Sequence, residues 1–86
     1  MELFVGRLDK IRVINPEPML VRFTVTIPNL NVNCVTANSE IANKLLMLPD
    51  NRYDCKVTGR FNIRNQLVLR QIEIINPDHT IKELGI

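Results

Sequence analysis

YDCKVTGRFNI, residues 53–63, alternates apolar and polar side chains without a break. Tyr53, Cys55, Val57, Gly59, Phe61 and Ile63 share one parity; Asp54, Lys56, Thr58, Arg60 and Asn62 share the other, which Arg64 continues. Successive side chains of a strand point to opposite faces, so this period of two predicts a strand with one buried and one wet face. Arg64-Asn65 then reads as a tight turn, Gln66 to Ile75 as the returning strand, and Asn76-Pro77-Asp78 as its end.

Working back toward the N-terminus, the period changes. Asn38 or Ser39 can cap a helix, Glu40 suits its positive end, and Ile41, Leu45 and Leu48 fall on one face before Pro49-Asp50-Asn51 stops it. Ahead of the helix, Leu30 to Thr36 predicts a strand with Leu30, Val32 and Cys34 on one face and Asn31 and Asn33 on the other. Across the Pro28-Asn29 turn, Leu20 to Ile27 alternates cleanly: Val21, Phe23, Val25 and Ile27 against Arg22, Thr24 and Thr26. Asn15-Pro16-Glu17-Pro18 is a turn, because each proline fixes φ and removes a donor. Glu2 to Ile14 forms the first strand, its alternation broken around Gly6, where a bulge or bend is expected. His79 to Ile86 reads as a short tail, which gives a domain over residues 1–77 and a tail over 78–86. Three strands, one short helix and two strands is the order of the five-stranded Greek-key barrel of the OB-fold class, with the helix between strands 3 and 4. An open α+β sheet shares that order, but strands with a single apolar face suit a barrel wall.

The 86 residues make one domain, and 45% hydrophobic content is enough for a core. A net charge of +2 permits a polyanionic partner without demanding one. Cys34 and Cys55 lie far apart with no C-x-x-C spacing, which argues against a zinc site or disulfide framework and predicts two reduced, buried thiols. The opening MELFVGRLDK lacks the pattern of a signal peptide, and no apolar run reaches membrane-spanning length, so a cytoplasmic protein without a membrane partner is expected. With His79 the single histidine, expected in a solvated tail, and only Gly6, Gly59 and Gly85 as glycines, neither a nucleophile–histidine set nor a phosphate-cradling loop can be assembled. The expectation is a non-enzyme with no catalytic residue, cofactor or metal.

Between Arg52 and Arg70 five basic residues, Arg52, Lys56, Arg60, Arg64 and Arg70, face a single acid, Asp54. Such a row can neutralise the phosphates of one strand and release their condensed counterions. The plainer role is a solvated barrel face whose cations discourage sheet-to-sheet pairing. Arg22, Thr24, Thr26, Asn31 and Asn33 make the wet face of strands 2 and 3, where barrels of this class bind ligands. Phe23 and Phe61 take the inward parity and are expected in the core; Tyr53, beside Arg52 at a strand start, is the candidate base stacker.

Several of these segments resemble the bacterial single-stranded-DNA-binding protein family. Val5-Gly6-Arg7-Leu8 resembles its opening VGRL, Arg22-Phe23-Thr24-Val25 its RFTLA-type second strand, and Asn33-Cys34-Val35 its NCV third strand. Val57-Thr58-Gly59-Arg60-Phe61 resembles its VEGRL, followed by Arg64 where the family often carries arginine before the last hairpin. The matches run in order along nearly the whole chain, and the resemblance implies a similar kinship with primosomal replication protein N, a dimeric relative of the same barrel. The resemblance implies binding of single-stranded DNA, dimers or tetramers, and a role in replication, repair or recombination. The chain departs from the pattern in having Asn31 and Ala37 at positions that align with stacking aromatics, no tryptophan, a short final hairpin and no acidic tail. The combined expectation is non-catalytic, largely sequence-independent binding of single-stranded DNA, with RNA as the alternative polyanion, through Arg22, Tyr53, Lys56, Arg60, Arg64 and Arg70. The alternative is a barrel that has lost its stacking aromatics and serves as an assembly module. Self-association is expected through Leu3, Phe4 and Val5 of the first strand.

Overall fold

The structure, a computed structural model, describes the chain from Met1 to Ile86. Five strands, β1 (Glu2–Pro16), β2 (Met19–Ile27), β3 (Leu30–Thr36), β4 (Asp54–Phe61) and β5 (Leu67–Ile74), close into a barrel in the order β1-β2-β3-β5-β4. All pairings are antiparallel except β3 with β5, whose short parallel contact, Cys34↔Leu67 and Val35↔Val68, closes the wall. Helix α1 (Ser39–Leu45) lies between β3 and β4, as the sequence leads one to expect. The Asn38 side chain accepts from Ile41 N at 3.1 Å to cap it, and Ala42 and Leu45 are fully buried. Inside the barrel, Leu8, Val21, Phe23, Val25, Val57 and Leu67 are completely buried, each contributing about 1.5–3 kcal/mol through removal from water.

β1 serves two neighbours. Its residues from Glu2 to Arg7 pair with β4, and those from Arg7 to Pro16 with β2, so Arg7 opposes both Asp54 and Thr26. The expected bulge at Gly6 is not there: the ladder to β4 runs through Gly6 in register. Gly6 is instead a point of close approach, since a Cβ there would lie 2.5 Å from Thr26 O and collide with Ile27 Cγ2. The register breaks fall later, between Asp9 and Arg12 and between Val13 and Asn15. A further bulge interrupts β4–β5, where Thr58↔Gln71 is followed by Gly59↔Leu69, leaving Arg70 as the extra residue.

Three apolar residues depart from their parity: Leu30, at the start of β3, is 50% exposed, and the other two lie at the end of β4. Phe61 is 41% exposed and Ile63 fully so, because β4 ends at Phe61 and the chain turns away from the barrel interior. The turn spans Asn62 to Gln66 rather than two residues, held by the Asn62 carboxamide, whose Oδ1 accepts from Arg64 N at 2.9 Å and Gln66 N at 3.0 Å. Cys34 and Cys55 are free and buried as expected, and burial is the main reason both thiols are pushed up to about 12.

The C-terminal residues are a second helix rather than a solvated tail. In α2 (His79–Leu84) Asp78 is the N-cap, Gly85 closes the end in the left-handed conformation, and Ile81 is 1% exposed in the core. His79 itself is exposed, 2.8 Å from Glu83. Asp78 ties this helix to the barrel: its carboxylate accepts from Ile81 N at 3.2 Å, the Tyr53 hydroxyl at 2.8 Å and Arg52 at 3.0 Å. The Tyr53 hydrogen bond, with further help from the Ile81 N–H and Arg52, holds the Asp78 carboxyl below its ordinary range. A depressed folded value means the stabilisation is complete above the unfolded carboxyl value of about 4 and is lost as pH falls through the folded value. Denaturant midpoints at pH 7 and pH 3 should therefore differ more for the native protein than for Asp78→Asn. An equal drop in both would show that Asp78 contributes nothing to acid sensitivity.

Candidate nucleic-acid interface

The β1 bulge determines where three cations lie. Lys10 takes the left-handed backbone conformation, φ 52°, with its N–H donating to Asp9 Oδ1 at 2.9 Å. From the segment between α1 and β4, Asp50 accepts from Ile11 N at 2.9 Å and from Arg12 Nη1 at 2.8 Å. The hydrogen bond from Arg12, followed by that from the Ile11 N–H, keeps the Asp50 carboxyl below its usual range. With the bulge pinned this way, Ile11 stays in the core while Lys10 and Arg12 stand exposed beside Arg22.

These three line a groove of about 460 Å³ with Thr24, Asn31 and Asn33, and no apolar residue takes part. Its back wall is the β2–β3 ladder, where Thr24 opposes Asn33 and Thr26 opposes Asn31. Arg12 and Arg22 occupy directly opposed positions on β1 and β2. Like charges so placed destabilise a sheet. Asp50 relieves one guanidinium, while Arg22 has no carboxylate partner, an arrangement an incoming anion would complete.

The remaining candidate cations lie elsewhere. Lys56 and Arg70 line a separate groove of about 340 Å³ with Thr58, Gln71 and Glu73, and Lys56 is held by Glu73 at 3.2 Å. Arg60 borders an adjoining hollow with Met1, Val68 and Arg70. Arg64 sits exposed in the β4–β5 turn. Of the expected row, Lys56, Arg60 and Arg70 share the outer face of β4 and β5, Arg52 is turned to Asp78 and Arg64 stands in the turn, while Arg22 belongs to the separate β1–β2–β3 groove. Tyr53 cannot stack a base. It is 2% exposed, its hydroxyl is spent on Asp78, and the Arg52 guanidinium lies 5.5 Å from its ring centroid. Burial, and then the Asp78 contact, raises its pKa.

Lys10 and Arg12 were absent from the sequence-based candidates, although the signal was present. Two adjacent polar residues, Asp9 and Lys10, separate the inward Leu8 from the inward Ile11, which is the footprint of one extra residue in a strand.

No group of His, Cys, Asp and Glu side chains is arranged to hold a metal ion, and no helix is long and apolar enough to cross a membrane. No protein-family model and no curated protein sequence matches the chain. Among solved structures, it is similar to the mitochondrial single-stranded DNA binding protein Rim1 of S. cerevisiae, with a TM-score of 0.70 and 14% identity over 90% of this chain and 94% of that one. It is also similar to the SSB domain of a Synechococcus sp. protein, with a TM-score of 0.54 and 14% identity over 85% of this chain and 94% of that one. At this identity the likeness establishes the fold: a closed five-stranded OB-type barrel with its helix between β3 and β4.

Proposed function

We propose that this protein binds single-stranded DNA without catalysis and with little sequence preference, through the groove of Lys10, Arg12 and Arg22 with Thr24, Asn31 and Asn33. The observation that carries the reading is the convergence of three cations, two of them on directly opposed strand positions, in a wholly polar groove on the β2–β3 face. Phosphates would pair with the cations, and the threonine and asparagine groups would bond to sugars and bases. Arg60 and Arg70 offer a second cationic surface on β4 and β5, and Arg64 stands exposed in the turn that joins those strands. A protein of this kind would serve where duplex DNA is opened, in replication, repair or recombination. Titration of a labelled oligo-dT across a salt series tests the reading. Binding should weaken linearly in log–log form, by about 0.7 in slope per phosphate neutralised. Absence of binding at low salt would overturn it, and a matched oligo-U series would reveal whether RNA is an equal partner.

A specific observation also supports self-association. Leu3 and Val5 are 57% and 50% exposed and oppose Thr58 and Lys56, and Val68, also exposed, opposes Arg60 on the same outer sheet. Together with Met1 they form an apolar strip on a domain small enough to gain from a partner. Light scattering should give a mass above one chain for the native protein and one chain for Leu3→Asp/Val5→Asp. A single-chain mass for the native protein would remove the proposal and, with it, the assembly-module alternative in its self-associating form.

A further inference from the structure

Beyond the phosphate-gripping groove, a smaller hollow of about 170 Å³ opens at the barrel end, lined by Phe4, Leu30, Val32, Phe61 and the asparagines 31, 33 and 65. Asn31 and Asn33 belong to both, so the cationic groove and this hollow adjoin along β3. Phe4 and Phe61 meet edge to face, centroids 5.9 Å apart and planes at 72°. Phe4 is half-buried against the core and Phe61 stays 41% exposed, so a fixed ring holds a second ring open to solvent. Because β4 ends at Phe61, the ring lines the hollow rather than the barrel interior.

The asparagines complete the chemistry. Asn62 nearby spends its carboxamide on the turn, bonding Arg64 N, Gln66 N and the Gln66 side chain. Asn31, Asn33 and Asn65 are exposed, each offering donors and an acceptor at the rim of an otherwise apolar hollow. The space equals about five or six waters at roughly 30 Å³ each, room for a single planar ring system. An apolar aromatic floor, a rim of carboxamides and a cationic approach together match a flat heterocycle with polar edges attached to a phosphate chain.

We propose that the Phe4–Phe61 hollow is a base-capture site, taking one unpaired nucleobase on the Phe61 ring and bonding its edge to Asn31, Asn33 or Asn65. The proposal rests on the single-strand reading of the adjoining groove. It supplies the stacking platform that Tyr53 does not provide and makes part of the affinity depend on the base rather than on charge.

The test compares a short labelled oligo-dT with a strand of the same length in which every base is removed, leaving the deoxyribose-phosphate chain. Native protein should bind the base-bearing strand about tenfold more tightly than the abasic one. Phe61→Ala should remove that difference while leaving abasic binding and the salt slope unchanged. Phe61→Leu, which keeps apolar bulk without a π-face, should behave like the alanine change, and Phe61→Tyr should retain the preference. A thermal melt of each variant separates lost stacking from lost folding. A 2-aminopurine placed in the strand should be quenched by native protein and not by Phe61→Leu. Equal affinity of native protein for base-bearing and abasic strands would overturn base capture while the charge-based reading stands. Failure to bind either strand at low salt would overturn both.

Discussion

Replacing Lys10, Arg12 and Arg22 together with glutamine should weaken binding of oligo-dT about a hundredfold at moderate salt and lower the salt slope by about 2. Each phosphate on a single strand contributes about 0.7 to that slope through counterion release, so three lost contacts give the predicted change. Glutamine keeps the aliphatic stems that cover the sheet, so the loss reports charge rather than packing. Folding should be preserved. Lys10 and Arg22 have no carboxylate partner to leave behind, and Asp50 keeps its bond from Ile11 N when Arg12 is changed. Relieving the opposition of Arg12 and Arg22 would, if anything, raise stability. The informative control is the triple change of Lys56, Arg60 and Arg70 to glutamine. It removes the same formal charge from the outer face of β4 and β5, where Glu73 already engages Lys56. A clearly smaller effect is expected there. Equal losses from the two triples would mean that diffuse positive charge, not the β1–β2–β3 groove, drives association.

The second large effect concerns folding. Gly6→Val should destabilise the domain by about 3 kcal/mol or more, enough to leave a barrel of this size marginal or unfolded. The added side chain begins 2.5 Å from Thr26 O, a backbone atom, and meets Ile27 Cγ2 still more closely. A flexible side chain could step aside. The Thr26 carbonyl cannot move far, because Thr26 opposes Arg7 at the residue where β1 passes from pairing with β4 to pairing with β2. Far-UV circular dichroism under a denaturant series measures the change without a tryptophan. A midpoint matching that of the native protein would show that β1 does not approach β2 as closely as described.

How far these features could be read beforehand depends on where parity holds. β2, β3 and the first part of β4 lie on regular stretches of wall, so alternation located Phe23, Val25, Cys34, Cys55 and Val57 inside the barrel. Alternation gives no information past a bulge or a strand end. The extra residue near Lys10 reset the phase of β1 and concealed Lys10 and Arg12 as groove residues. The end of β4 at Phe61 turned a residue with core parity into an exposed ring. Tyr53 did carry core parity and is buried, and it was its position at a strand start that suggested exposure. Helix α2 had visible signals in Asp78, Ile81 and Gly85, but six residues are too few to build a periodic pattern. The apolar side of such a short helix becomes meaningful only once the open end of a barrel is there to receive Ile81.

Both native thiols are sealed inside the wall and stay protonated at neutral pH. The exterior therefore presents no sulfhydryl to a maleimide. One cysteine introduced at the rim of the aromatic hollow would be the sole attachment point for a dye, without first stripping Cys34 and Cys55 from the interior. A fluorophore placed there could follow a strand as it enters, in otherwise native protein.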